Sequence, residues 1–278
     1  MPAKNIILNS LKESFAQIFK SKFIFFLLAA LQIIFFIIFF FISSIYVPAI
    51  QQHSKAMFDY LNEQKLDEFS LTQNILQQKS ILGDDPLSLS RNLSEIIKNS
   101  RIYLAYTFIL VVFFTSAIWT ITNRLIYGKK NLSSKFFFKI FIIVFFYLGI
   151  IFLFFFSILN ISFTEAAYNS AAILGKYLLF FLVSVILLYF MFISISLANK
   201  TELKDIVQKT LSIGIKKIHY MLAVYFTGTF LISASLFLLI YFIDINFLIV
   251  VLAMILFVFS FLFSRIFMLN VVEKLDNL

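Results

Sequence analysis

The chain has 278 residues, of which 62% are hydrophobic, 19% aromatic and 13% charged, and its mean hydropathy is +0.98. A soluble domain carries about 25% charged residues and about half apolar ones, so this much Phe, Ile and Leu must face lipid rather than fill a water-surrounded core. The absence of cysteine excludes disulfides, thiolate nucleophiles, iron–sulfur clusters and Cys-ligated zinc, and the net charge of +9 takes its meaning from where it lies.

The N-terminal stretch, residues 1–22, is amphipathic: Ile7, Leu8, Leu11, Phe15, Ile18 and Phe19 recur at helical spacing among lysines. It runs directly into an apolar segment, Phe23–Tyr46. Phe23 to Phe41 is interrupted only by Gln32. That is longer than the 7–15 residues of a signal-peptide core, and no small-residue cleavage site follows, so a permanent first span is expected.

Residues 47–102 are the one sizeable polar insertion. Met57, Tyr60 and Leu61, then Leu89, Leu93, Ile96 and Ile97, fall at helix-like spacing, and GDDP at Gly83–Pro86 reads as a turn. The expectation is a small helical cap outside the membrane that continues the first two membrane helices. Five further spans follow at Tyr103–Ile121, Phe136–Leu159, Tyr177–Leu197, Tyr220–Phe242 and Phe247–Met268. Each approaches or exceeds the length of about 20 residues needed to cross about 30 Å of hydrocarbon. Between the fourth and fifth, Thr201–His219 places Leu203, Ile206, Val207, Leu211, Ile215 and Ile218 toward one side of a second amphipathic helix. Thr201 is its expected N-cap, with Glu202 and Asp205 in the electropositive first turn. The fold class is therefore all-α: a single six-span membrane domain over residues 1–278 with cytoplasmic interfacial helices.

Orientation follows from the basic residues. With the N-terminus inside, the inner segments hold sixteen basic and five acidic residues, the outer ones seven and nine. Positive charge marks the cytoplasmic side, so both termini are expected there, in a plasma membrane. The charge then faces the anionic lipid of the inner leaflet rather than nucleic acid, each such Lys adding about 1 kcal/mol of attraction.

The two amphipathic segments align at an offset of 200: Lys4 with Lys204, Ile6 with Ile206, Ser10 with Thr210, Leu11 with Leu211, Phe15 with Ile215. NLSSKFFFK at Asn131–Lys139 carries a fainter version, which predicts three units of an inner amphipathic helix followed by a two-span hairpin. In NSLKESFAQIFKSKFIFF and QKTLSIGIKKIHYMLAVYF this pattern resembles six-helix prokaryotic membrane proteins, among them relatives of the membrane domain attached to some glycerophosphodiester phosphodiesterases. The resemblance implies the six-helix fold over the whole chain and transfers no site residues. Forty phenylalanines beside many Ile, Lys and Asn reflect AT-rich codons and agree with a prokaryotic source.

A charge at mid-span is costly and marks function by default. None is expected here, because Lys176, Asp244 and Arg265 lie near span ends, within snorkelling reach of the interface. His53 and His219 fall on opposite sides in this topology, so they share no metal. Asp84 and Asp85 read as a solvated pair, and no HExxH, GxSxG, P-loop or GxGxxG occurs. Thr115, Ser116, Thr120, Thr122, Ser184, Ser194, Ser196, Tyr225 and Thr227 read as packing polar groups. Trp119, Tyr127, Tyr103 and Tyr177 read as aromatic belts. No catalytic, cofactor-binding or metal-binding residue is expected. The expected role is a non-enzymatic membrane accessory, scaffold or lipid-interacting factor, with room for a membrane or cytoplasmic protein partner. The alternative is the permease subunit of an ATPase-driven exporter, whose basic entry helix LKESFAQIFKSKFIFFLL resembles.

Overall fold

A computed structural model describes residues 3–20, 22–63, 86–128, 134–159, 170–242 and 247–277. Among these residues every regular element is an α-helix: α1 (Ala3–Lys20), α2 (Lys22–Glu63), α3 (Pro86–Tyr127), α4 (Ser134–Leu159), α5 (Ser170–Leu197), α6 (Leu203–Lys216), α7 (Ile218–Phe242) and α8 (Phe247–Asp276). All but α1 and α6 are long and apolar enough to cross a membrane. The chain is thus an all-helical, multi-pass membrane protein. Phe23, Phe40, Phe146, Phe226 and Phe247 are each at least 60% exposed, an arrangement that only a hydrocarbon solvent favours.

The cap helices expected beyond the first two spans are the far ends of α2 and α3, each 42 residues long. Helix α2 continues past Pro48, two residues beyond the expected end of the first span. Proline has no N–H there, so the Ser44 carbonyl loses its helical donor. Of the expected cap positions Met57 is buried, and Leu93, Ile96 and Ile97 are half-buried. The Gly83–Asp85 part of the turn, and the Asp244–Asn246 connection, lie outside the described residues.

Two compact units divide the chain: Met1–Phe35 with Val111–Leu278, and Phe36–Leu110. The smaller unit is zipped by polar and aromatic pairs between α2 and α3. Ser43 Oγ lies 3.1 Å from Tyr103 Oη, Tyr46 packs its ring on Tyr103 and Tyr106, and His53 Nδ1 is 3.0 Å from Asn92 Oδ1.

In the larger unit, ring contacts link neighbouring helices: Phe35 with Phe114, Phe113 with Phe137, Phe155 with Phe180, Tyr189 with Tyr225 and Phe25 with Phe259. The hub is the second half of α8. Leu262, Phe263, Ile266, Phe267, Leu269, Val271 and Val272 are at most 1% exposed, whereas Phe247, Leu248 and Leu252 in its first half are at least 65% exposed. The difference arises because α1 and α6 wrap only the second half. From α1, Phe15 packs on Phe263 at 4.6 Å between ring centroids, and Ser14 Oγ accepts a 2.8 Å hydrogen bond from Asn270 Nδ2.

Helix α6 docks on α5 through a glycine. A Cβ on Gly214 would lie 2.7 Å from Phe190 Cε1, closer than side chains tolerate, so any larger residue here must displace the Phe190 ring. Tyr189 Oη then donates a 2.7 Å hydrogen bond to the Gly214 carbonyl. The cap of α6 differs from expectation. The N-cap position is Glu202, which makes no side-chain cap bond, and Thr201 is buried with its Oγ1 unpartnered. The reason is that Thr201 belongs to the tight turn after α5. Its amide bonds the Leu197 carbonyl, and its own carbonyl accepts from Lys139 Nζ. Lys139 Nζ also donates to the Ala198 carbonyl at 2.6 Å, so a lysine from α4 caps the C-terminal end of α5, where carbonyls lack helical partners.

Candidate functional site

The polar side chains of the larger unit gather at the end where α1 and α6 embrace α8. Each charged residue near the C-terminal end of α8 has a partner from a different element. Lys274 pairs with Glu13 of α1 at 2.7 Å, Glu273 with Lys200 of the turn after α5 at 2.7 Å, and Asp276 with Lys209 of α6 at 2.9 Å. Lys217 Nζ donates to the Leu275 carbonyl at 2.5 Å. Deeper, Asn270 Nδ2 donates to both Ser14 Oγ and Gln17 Oε1. These bonds tie α1 and α6 to the bundle and give Glu273, Lys274 and Asp276 each a partner of opposite charge.

Arg265 stands apart from this network. Instead of snorkelling outward, it turns into the bundle, where Nη2 donates a 2.8 Å hydrogen bond to Gln32 Oε1 of α2. Its Nη1 is buried without a partner. The inward turn has a physical cause. Helices α1, α5 and α7 pack along α8, and Gln32, itself 2% exposed, is a polar group otherwise stranded in an apolar run. Each supplies what the other lacks in a medium without water.

Beside Arg265 is a cavity of about 270 Å³ between α7 and α8. Trp119 of α3, Phe192 of α5, and Tyr225 and Ile232 of α7 form apolar walls; Phe261 and Met268 of α8 complete them. Gly228 lets α7 lie close against Ser264 of α8: a Cβ on Gly228 would lie 3.2 Å from Ser264 Oγ. Tyr225 Oη is committed to the Tyr189 carbonyl at 2.8 Å. Among the described residues that line the cavity, Arg265 is the one charged group, and none is acidic.

Other residues singled out by sequence are placed as follows. Trp119 is 3% exposed and packs on Phe192 at 5.9 Å, so it belongs to the bundle interior and not to an aromatic belt. Ser116, Thr120 and Thr122 return their hydroxyls to carbonyls one turn back in α3, which satisfies them without a neighbour. Ser194 bridges helices, meeting Tyr147 Oη at 3.1 Å and Thr210 Oγ1 at 3.0 Å. His53 belongs to the smaller unit, whereas the His219 ring lies tilted beside Tyr220, 4.1 Å between centroids. Among the described residues no three His, Asp or Glu side chains come together as a metal-binding group. Sequence reading passed over the Arg265–Gln32 pair because the partners stand 233 positions apart. The signal for it was present in two polar side chains, each interrupting an otherwise apolar span.

Comparison with family models, with curated proteins and with solved structures finds no match.

Proposed function

We propose that this is a non-enzymatic, lipid-interacting protein of the plasma membrane, with both termini in the cytoplasm and α1 and α6 lying in the inner headgroup layer. The observation that carries the reading is the three-sided surface of α6. Ile206, Thr210, Ile213 and Gly214 are buried against the bundle. A second ridge, Leu203, Val207, Leu211 and Ile215, is 43–62% exposed although wholly apolar. A third side carries Asp205 and Lys216, and Lys204 stands in line with Leu211 at the N-terminal end of the ridge; all three are exposed. An apolar ridge flanked by lysines, on a helix tethered to membrane spans, suits the boundary between acyl chains and anionic headgroups. The excess of basic residues in the segments on this side supports the cytoplasmic orientation.

The absence of native cysteine makes single-cysteine labelling direct. In intact cells a membrane-impermeant maleimide should label Ser162→Cys and leave Ser212→Cys unlabelled until the membrane is opened. The opposite pattern would invert the topology. A polarity-sensitive fluorophore at Val207→Cys, in vesicles of phosphatidylglycerol and phosphatidylcholine, should emit as in a headgroup environment; a fully aqueous spectrum would sink the interfacial placement. The permease reading would seat an ATPase on the same ridge, and a stoichiometric ATPase retained through purification in mild detergent would replace the present one.

A further inference from the structure

We propose that the cavity between α7 and α8 is a binding site for the anionic headgroup of an acyl lipid, carboxylate or phosphate, with the Arg265 guanidinium as counter-charge. This deepens the lipid-interacting reading and rests on it. Three independent features converge.

The first is charge. A guanidinium offers five N–H donors, and the one polar partner identified for Arg265 is the neutral Gln32 amide. The carboxylates near that end of α8 are occupied elsewhere: Glu13 by Lys274, Glu273 by Lys200, Asp276 by Lys209. A half-buried cation lining an apolar cavity that holds no acidic side chain is a costly state, and an incoming carboxylate or phosphate relieves it. Arg265 itself lines the cavity, and its Nη1 has no hydrogen-bond partner among the described residues.

The second is shape. About 270 Å³ is just below the range of about 300–1,000 Å³ typical of sites for whole small ligands. It suits a headgroup with its first methylenes rather than an entire lipid. The third is access. Thr229 lines the cavity and is itself exposed, on the same side of α7 as Phe226 and Phe230, which are 76% and 64% exposed. The mouth therefore opens onto a surface built for acyl chains, and a lipid could enter sideways with its tail left along α7.

The protein carries its own reporter. Trp119 is the one tryptophan in the chain. It lines the cavity and is 3% exposed, so a brominated acyl chain quenches it only after entering. The full chain in an uncharged maltoside detergent is titrated with dibromostearate, with phosphatidylglycerol carrying dibrominated chains, and with the matching phosphatidylcholine. Saturable quenching by either or both anionic probes, at least about ten-fold tighter than by phosphatidylcholine, is expected from one charge-assisted hydrogen bond. Quenching by the fatty acid alone names a carboxylate ligand, and quenching by the phospholipid names a phosphate.

Arg265→Gln should weaken the anionic titration by about ten-fold or more, and Arg265→Lys should keep it within about three-fold. If Arg265→Gln does not elute as folded protein on size exclusion, Thr229→Phe carries the test, because a bulky ring at the exposed mouth blocks entry without touching the buried charge. Equal quenching by phosphatidylcholine, no quenching by any probe, or wild-type titration in a folded Arg265→Gln or Thr229→Phe variant overturns the proposal. The interfacial placement of α6 has its own test in labelling, so the two readings fail separately.

Discussion

Helices α1 and α6 are two solutions to one problem: holding a short helix against the end of a helical bundle. Their aligned positions are buried alike. Ile6 and Ile206 are 4% and 2% exposed, Ser10 and Thr210 0% and 1%, and Ser14 matches buried Gly214. What differs is the means of attachment. Helix α1 reaches α8 through a side-chain bond, Asn270 to Ser14. Helix α6 reaches α5 by dispensing with a side chain at Gly214, so that its backbone meets Tyr189 and Phe190. The same sequence register thus supports attachment by polar bonding in one copy and by steric fit in the other. The two should respond differently to substitution.

The largest effect is expected where fit alone decides. Gly214→Leu introduces a side chain whose first carbon already lies 2.7 Å from Phe190 Cε1. Overpacking of this kind costs about 1–3 kcal/mol, and loss of the Tyr189 hydrogen bond adds about 1 kcal/mol. Unfolding in mixed micelles, followed by Trp119 emission, should show destabilisation near the sum of these. A stability within about 0.5 kcal/mol of wild type would mean that α6 is not held by this crossing. For α1 the corresponding weak point is Asn270 of α8, 3% exposed and bonded to both Ser14 and Gln17. Asn270→Leu should cost about 2 kcal/mol, because buried Ser14 Oγ and half-buried Gln17 Oε1 both lose their donor. Ser14→Ala should cost less in the Asn270→Leu background than in wild type. Strict additivity of the pair would show that the bond contributes nothing to holding α1.

Much of this was legible in the sequence. The apolar runs locate the six long helices, and the helical spacing in residues 47–102 foretells that α2 and α3 extend well beyond a membrane's thickness. These features depend on composition and periodicity along one segment. What could not be read depends on partners far along the chain. Whether Arg265 turns to the interface or to Gln32 is decided by which flanks of α8 other helices cover. Trp119 is suited to an aromatic belt but is enclosed because Phe192 and the cavity walls meet it. Thr201 has the chemistry of an N-cap, yet the turn closing α5 takes its backbone first. The need for glycine at 214 likewise appears only once Phe190 is in place.

The smallest effect concerns the ion pairs by which α8 grips the two helices. Asp276 and Lys209 have side chains 11% and 43% exposed, whereas Glu13 and Lys274 are 52% and 29% exposed. Exposed pairs contribute about 0–1 kcal/mol, because water and salt screen them and both side chains lose freedom. The carboxylate on the α6 side is the better shielded, and its bond to Lys209 is bifurcated, at 2.9 and 3.2 Å. Lys209→Gln should therefore cost about 0.5–1 kcal/mol, and Lys274→Gln no more than about 0.3 kcal/mol. Raising the salt concentration should narrow the gap between Lys209→Gln and wild type, since the charge lost on substitution is one that salt already weakens. The reverse order, with Lys274→Gln the more damaging, would mean that α1 leans on its charges as well as on Asn270. The division between a helix held by polar bonds and a helix held by fit would then be a matter of degree.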